Sequence, residues 1–419
     1  MPTVTRSGRA LGKRATWIIA DQAVSSLSNA GLSIVIARTV SPGQYGAFAL
    51  AFSIYTFLVA ISQSLAGQVV MIRYSASDDE VRDRANAGAT GTAIVIGLVS
   101  AVVLGLVSSM LQLPLRSVLL AMGVLLPGLM LQDTWRTIFV SRGTPSQAFT
   151  NDVVWIVLQI LSIGLLLVLS VDRVVWYLLA WGGAALGAGI YGIRQAGVVP
   201  RLRLTKPFLL NHRDVSAPSV AYALAILGAN QVAFIVIAAV ATVEAVGALR
   251  GAQTLLGPLN IVGFALTAFA VPEIIRHDLS KRGLAIVALV LSGVLVVVDL
   301  TWGAILLLLP EEVGVQLLGD TWPAAREALP GMVVFTAAIG ATVGATAVMR
   351  ALARLKYAFW TSAMLGPLVL TLSVLGAWLV GAPGAAWGFA TAALLVIPPA
   401  WWLLARAIRL GRIEAEVGV

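Results

Sequence analysis

Long apolar runs, separated only by short charged or Pro- and Gly-bearing breaks, dominate this 419-residue sequence. A helix that crosses the hydrocarbon core of a bilayer needs about 20 mostly apolar residues. Windows of that kind lie near residues 15–38, 44–72, 86–111, 115–140, 151–171, 174–195, 215–239, 246–272, 283–309, 324–349, 357–380 and 385–407. The sequence therefore predicts an all-α integral membrane protein with about twelve transmembrane helices.

The composition excludes most other classes of protein. Hydrophobic residues make up 59% of the chain and charged residues 11%, against roughly 25% charged in a soluble domain. There is no cysteine, and the two histidines, His212 and His277, fall in charged stretches, so we predict no metal site. Walker, His-Glu-x-x-His and Gly-x-Ser-x-Gly patterns are missing, so we predict neither an enzyme nor a cofactor.

The basic residues are distributed unevenly over the predicted loops. Of the 28 Lys and Arg residues, 22 fall at the two chain ends and in every second loop, and the opposite loops carry only Arg38, Arg116, Arg173 and Arg326. Basic loops face the cytoplasm. We therefore expect a multi-pass membrane protein with both termini in the cytoplasm, and we assign the net charge of +9 to topology rather than to nucleic acid. The first apolar run is too polar for a signal peptide and is expected to be retained.

An internal repeat divides the chain into two halves. A shift of 201 residues places Asn29 on Asn230 and Gly46-Ala47 on Gly247-Ala248. A second echo sets Arg142 and Phe149 against Arg350 and Phe359, and each arginine ends the fourth span of its half. We predict an N-terminal six-helix bundle (1–195), a basic cytoplasmic linker (196–214) and a C-terminal six-helix bundle (215–419). Halves of six spans keep one orientation, so a pseudo-two-fold axis along the membrane normal relates them.

Several predicted helices carry polar side chains at helical spacing, which places them on one face. The clearest seams run from Gln22 to Ser33 on helix 1, from Ser53 to Gly67 on helix 2 and from Arg250 to Asn260 on helix 8. Such residues either join helices to each other or line a cavity. Arg250 either snorkels to the outer surface or meets an anion in the cavity. The candidate substrate-binding residues are Arg250, Gln253, Asn260, Asn29, Asn230, Gln63 and Gln22.

Three further charges inside spans are candidates for gating or ion coupling. Asp133 and Arg136 are three residues apart on helix 4, which predicts a local ion pair with a gate or relay as the alternative. Asp299 on helix 9 has no evident partner. It is either protonated, a cation site or part of a loop. The coupling ion, proton or sodium, is left open.

Two segments resemble a known family. The run from Ala20 to Asn29 continues through Ala37-Arg38 and Ser41-Pro42 to Tyr45-Gly46-Ala47-Phe48. It resembles the opening of bacterial polysaccharide (Wzx-like) flippases of the multidrug/oligosaccharidyl-lipid/polysaccharide (MOP) exporter superfamily. The segment from Val246 to Gln253, followed by Pro258-Leu259-Asn260, is similar to the start of their second half.

The resemblance implies two six-helix bundles arranged as a V around a central cavity that helices 1, 2, 7 and 8 line. It implies transport of a polyprenyl-diphosphate-linked oligosaccharide, with Arg250 holding the diphosphate and the amides bonding sugar hydroxyls. The chain lacks the two extra C-terminal spans of lipid II flippases, which favours an oligosaccharide or teichoic-type carrier. Expected partners are this substrate, membrane lipids, and glycosyltransferases or a polymerase of the same pathway. The alternatives are a cation-coupled multidrug exporter and a non-transporting scaffold for cell-wall synthesis.

Overall fold

A computed structural model describes residues 3–224, 228–276 and 279–411. Among these, it describes the side chains of all but residues 3–15, 18, 19, 22, 264, 268, 269, 272 and 276. The described residues form helices joined by short turns and loops, and they contain no strand. Its first nine α-helices are α1 (Thr3–Thr39), α2 (Pro42–Ser62), α3 (Gln68–Arg73), α4 (Asp79–Ser109), α5 (Leu115–Ser141), α6 (Pro145–Val168), α7 (Val174–Ala196), α8 (Thr205–Asn211) and α9 (Arg213–Ala223). The others are α10 (Ala229–Val240), α11 (Val243–Arg276), α12 (Lys281–Leu307), α13 (Glu311–Leu318), α14 (Trp322–Ala351), α15 (Leu355–Val380) and α16 (Ala382–Leu410).

Nine helices within the described residues are long and apolar enough to cross a membrane. They include the continuous helix Pro42–Arg73, in which the π-helical turn Gln63–Gly67 joins α2 to α3. The all-helical membrane fold is thereby confirmed. The remaining predicted spans coincide with the polar helix α1, with α9 and α10, and with α11, and the count of twelve stays a prediction.

The chain groups into two compact units. Unit 1 comprises 1–32 and 39–231, and unit 2 comprises 33–38 and 232–419. The segment 196–214, predicted as a linker, lies within unit 1. There the backbone N–H of Arg201 donates to the carbonyl of Ala87 on α4 over 2.9 Å.

Helix ends recur along the chain at the predicted shift. Helices α1 and α10 end at the corresponding residues Thr39 and Val240, and α2 and α11 begin in the same register. Further along, the shift is larger. The turns after α5 and α14 make the same backbone hydrogen bonds and place Gly143 (φ 74°) and Ala353 (φ 57°) in the left-handed region. The predicted pairing of Arg142 with Arg350 is wrong, because insertions between the helices change the register and the matching turns align Arg142 with Leu352.

An arginine in each of these turns reaches the C-terminus of another helix. Arg142 Nη1 donates to the carbonyl of Ala196 at the end of α7 over 2.9 Å, and Arg142 also pairs with Asp83. Arg354 donates to the carbonyls of Leu410 and Gly411 at the end of α16 over 3.2 and 3.1 Å. Carbonyls in the last turn of a helix have no partner within it, so these contacts satisfy them and complement the helix dipole.

Candidate functional site

A buried charged cluster lies inside unit 1, between α1, α5 and α6. Arg136 Nη2 on α5 lies 2.7 Å from Asp21 Oδ2 on α1, and Arg136 Nε lies 3.2 Å from Asp152 Oδ2 on α6. Asp21 and Asp152 are 8% and 1% exposed. Ionised groups at this depth persist when they pair with each other. One guanidinium therefore joins three helices by bridging two carboxylates.

The predicted ion pair between Asp133 and Arg136 is wrong, because Arg136 pairs with Asp21 and Asp152 instead. Gln63 Nε2 donates to the carboxylate of Asp133 and, over 3.1 Å, to its backbone carbonyl. Thr137 Oγ1 donates to Gln63 Oε1 over 2.9 Å. Arginine is long enough to leave its own helical face for two carboxylates on other helices, so adjacency on one helix does not decide the pairing.

The π-helical turn positions Gln63 for these contacts. A Cβ at Gly67 would collide with Gln63 Oε1, so glycine makes room for the amide. Single π turns inside α-helices recur at functional sites. Gln63, predicted as a binding residue, thus lies in the same region of unit 1 as Asp133 and Arg136, which were predicted for gating or ion coupling.

Further amides surround the cluster. Gln132 Nε2 donates to Asp152 Oδ1 over 2.8 Å. Asn151 Nδ2 donates to the carbonyl of Ala188 on α7 over 3.0 Å and to Gln195 Oε1 over 3.2 Å. Sequence analysis missed Gln132, Asn151 and Asp152. The predicted fifth span began at 151, whereas α6 begins at Pro145, so an apparent boundary carboxylate lies two turns inside the helix.

Asn29 lies at the edge of the same cluster. It lines a small cavity together with Ser28, Asp152, Trp155 and Gln159. Ser28 Oγ donates to Gln159 Oε1 over 3.3 Å, which links α1 to α6.

Two further predicted binding residues are Gln22 and Asn230. Gln22 belongs to α1, but its side chain lies outside the described residues. Asn230 is half-buried near the start of α10 and does not belong to the cluster.

The remaining predicted binding residues lie on α11 in unit 2. Arg250 and Gln253 are half-buried, and Asn260 is exposed. Between them, a Cβ at Gly257 would meet no atom within 4 Å, so this face of α11 is open. Thr254 Oγ1 donates to the Arg250 carbonyl over 2.8 Å and lies 2.9 Å from Ser33 Oγ, which fixes the neighbouring face.

Asp299 lies inside α12 of unit 2, so the alternative of a loop position is wrong. The residue is 4% exposed. A Cβ at Gly340 on α14 would lie 2.6 Å from Asp299 Oδ2, so the glycine provides the space for the carboxyl group. Protonation and cation binding at Asp299 stay predictions.

The fold is similar to that of solved structures of MOP superfamily transporters. No family model matches the sequence, and no curated protein matches it. Among solved structures, an inward-facing multidrug resistance MATE family transporter is similar, with 15% identity, a TM-score of 0.73, and coverage of 93% of this chain and 96% of that one. The lipid II flippase MurJ in an inward closed conformation has 10% identity, a TM-score of 0.74, and coverage of 93% and 88%.

A third similar structure is a MOP superfamily transporter from Pyrococcus furiosus. Its identity is 14%, its TM-score 0.60, and the alignment covers 96% of both chains. All three are transporters rather than enzymes. At identities this low, the structural similarity establishes the fold. The substrate has to be inferred from the side chains.

Proposed function

We propose that this protein is a flippase that moves a polyprenyl-diphosphate-linked oligosaccharide across the bacterial inner membrane by alternating access. In this proposal about twelve helices form two six-helix bundles in a V, and both termini face the cytoplasm. Glycosyltransferases or a polymerase acting on the same carrier lipid are the proposed partners. The fold shared with MurJ and MATE transporters supports transport as such.

The observation that carries the choice of substrate class is the engagement of the buried carboxylates. An exporter of organic cations needs acidic side chains available to its substrate. Here Asp21 pairs with Arg136, Asp133 accepts from Gln63, and Asp299 packs against Gly340. Asp21 and Asp133 are therefore bound by residues of the protein, and Asp299 is 4% exposed, which favours an uncharged or anionic substrate.

The face of α11 suits such a substrate. Arg250, Gln253 and Asn260 recur at intervals of three and seven, so they share one side of the helix. A guanidinium pairs with phosphate oxygens in a planar, bidentate geometry, and amides bond sugar hydroxyls. We assign the diphosphate to Arg250, and the sugars to Gln253, Asn260, Asn29, Asn230, Gln63 and Gln22.

The charge balance of the unit 1 cluster supports an ion-coupled cycle. Among the residues whose side chains the structure describes, Asp21, Asp133 and Asp152 face a single arginine, Arg136. Asp21 Oδ1 is buried and accepts no hydrogen bond within the described part of the chain. Uncompensated carboxylates are costly at this depth, so we propose that the cluster takes up a proton or a sodium ion during transport.

Transport by purified protein in liposomes tests the proposal. Labelled polyprenyl-diphosphate oligosaccharide is placed in one leaflet and its arrival in the other is measured. We expect Arg250→Ala to reduce the rate at least about tenfold and Arg250→Lys to keep part of it, whereas Arg116→Ala at a helix end serves as the matched control. Movement of the label that is unaffected by Arg250→Ala contradicts the assignment.

A second measurement separates the exporter alternative. Efflux of a cationic dye that survives Arg250→Ala and is lost in Asp299→Asn would establish a multidrug exporter instead. Because the chain has no cysteine, Asn29→Cys and Arg250→Cys provide unique labelling sites. Labelling of neither site from either side of the membrane would favour the scaffold alternative.

A further inference from the structure

A cleft in unit 1 lies between the first turns of α4 and the segment 197–212 that follows α7. It consists of two adjoining cavities of about 650 and about 300 Å³. Val81, Arg84 and Leu204 line both cavities, so Arg84 stands between them. The larger cavity is also lined by Arg201, Val199 and Glu80.

The walls of the cleft are held by close contacts. Arg201 N–H donates to the carbonyl of Ala87 over 2.9 Å. A Cβ at Gly91 would collide with the Arg201 carbonyl oxygen, and a Cβ at Gly88 would lie 2.9 Å from the Phe208 ring. Tyr74 and His212 join the far end through a 2.6 Å hydrogen bond. The cleft is therefore a built feature of the fold rather than a gap between loosely placed loops.

The arginines around the cleft fall into two groups. Arg73, Arg82 and Arg142 pair with Asp214, Asp79 and Asp83. Arg84 and Arg201 are exposed and form no ion pair with any acidic residue that the structure describes. With Asp83 already engaged by Arg142, Glu80 is the remaining acidic residue of the larger cavity. The two guanidiniums thus leave an excess of positive charge beside the cavity.

Apolar side chains border the same arginines. Val81, Val199 and Leu202 are 52%, 66% and 48% exposed. Arg203 and Lys206 follow in the same segment and are exposed. Exposed valine and leucine next to basic groups are typical of the boundary between acyl chains and headgroups, and basic pockets at this level bind acidic lipids.

We propose that this cleft binds the headgroup of an acidic phospholipid. Arg84 and Arg201 hold the phosphate, and Val81, Val199 and Leu202 contact the acyl chains. The site rests only on the membrane location of the helices. It is independent of the transported substrate, so the failure of either proposal leaves the other standing.

Lipid binding by the purified protein tests the proposal. Native mass spectrometry in detergent counts adducts of phosphatidylglycerol and of phosphatidylcholine added at equal concentration. We expect preferential binding of phosphatidylglycerol, reduced about fivefold for each of Arg84→Gln and Arg201→Gln, with phosphatidylcholine unchanged. The control variants Arg116→Gln and Arg173→Gln remove arginines at other helix ends and should bind like the wild type.

A variant that keeps every charge provides a second test of lipid binding in the cleft. Leu204→Trp fills space in both cavities, and we expect it to reduce phosphatidylglycerol binding while the thermal unfolding midpoint of the protein is maintained. Millimolar inorganic phosphate should not displace the lipid, because the acyl contacts are missing. Equal phosphatidylglycerol binding by the wild type and the Arg84→Gln/Arg201→Gln protein, or full displacement by inorganic phosphate, would overturn the proposal.

Discussion

The turn between α5 and α6 of unit 1 has the same backbone hydrogen bonds as the turn between α14 and α15 of unit 2. The side chains that connect the helices differ between the two units. In unit 1, long polar residues reach from helix to helix. Gln132 donates to Asp152 on the next helix, Arg136 pairs with Asp21 on α1, and Asn151 donates to α7. Every one of these contacts crosses a helix interface.

When the two turns are aligned on Gly143 and Ala353, unit 2 has short hydroxyl residues at the matching positions. Thr342, Thr346, Thr361 and Ser362 replace Gln132, Arg136, Asn151 and Asp152. Each hydroxyl donates to a carbonyl three or four positions earlier on its own helix. The matching positions of unit 2 therefore add no charged bridge between helices.

Close backbone approach at glycine is common to both units. A Cβ at Gly97 in unit 1 would lie 2.6 Å from Pro127 Cα, and a Cβ at Gly388 in unit 2 would collide with the Leu372 carbonyl oxygen. Small residues allow membrane helices to pack closely without a hydrophobic driving force between them. The units thus share close glycine packing, and unit 1 adds charged contacts between its helices.

The largest expected effect is the loss of the bridging arginine. Arg136→Met leaves Asp21 and Asp152 buried without their counter-charge, and we expect a loss of about 3–5 kcal/mol in the free energy of unfolding. The matched change Thr346→Val should cost less than about 1 kcal/mol. Unfolding of the detergent-solubilised protein by sodium dodecyl sulfate measures both. The triple variant with Asp21→Asn and Asp152→Asn should recover stability, and equal losses at Arg136 and Thr346 would remove the contrast between the units.

Glycine substitutions should affect the two units alike. Gly97→Ala and Gly388→Ala force packed backbones apart, and we expect each to cost about 1–3 kcal/mol in the same assay. Gly183→Ala is the control, because a Cβ there meets no atom within 4 Å and alanine favours the helix by up to about 1 kcal/mol. A marked loss in only one unit would contradict a shared packing device.

The amide contacts should matter more than the matching hydroxyl. Asn151→Leu removes three hydrogen bonds, to the Ala188 carbonyl and to the side chains of Gln195 and Gln132, which should cost about 1–2 kcal/mol. Thr361→Val removes a bond within one helix and should cost about 0.6 kcal/mol or less. The order of the two losses, measured in parallel, is the test, and the reverse order would refute it.

The smallest effects are expected at the helix C-termini. Arg142→Ala should lower the free energy of unfolding by about 1–2 kcal/mol, because the arginine also pairs with Asp83. Arg354→Ala, for which the described residues show carbonyl contacts at the end of α16 and no ion pair, should cost about 0.5–1 kcal/mol. Lysine at either position should restore part of the stability, and no restoration would indicate that packing rather than charge is responsible.

Much of this architecture was readable from the sequence. Hydropathy predicted an all-helical membrane protein, and helical spacing placed Gln63 on the face that meets Asp133. The predicted shift between the first helices of the two halves agrees with the ends of α1 and α10. These features are local, because a periodic pattern reports which side chains share a face.

The partners within the cluster could not be read in the same way. Asp21 and Arg136 are separated by 115 residues, and no periodicity encodes a contact between helices. Asp152 looked like a boundary residue because the apolar run starts after the helix does. The alignment of the second half was also not predicted in full, since the offset between equivalent residues changes between the first and the fourth helix of the repeat.

The arginines that cap α7 and α16 show that a contact can recur although the residues at equivalent positions differ. The matching turns align Arg142 with Leu352 and Thr144 with Arg354, so the guanidinium stands two positions later in the second half. It still binds the carbonyls at the end of the second helix after its turn, α16 in place of α7. A search for identical residues at equivalent positions would therefore miss this contact. The two halves are better compared by which helix C-termini their arginines bind.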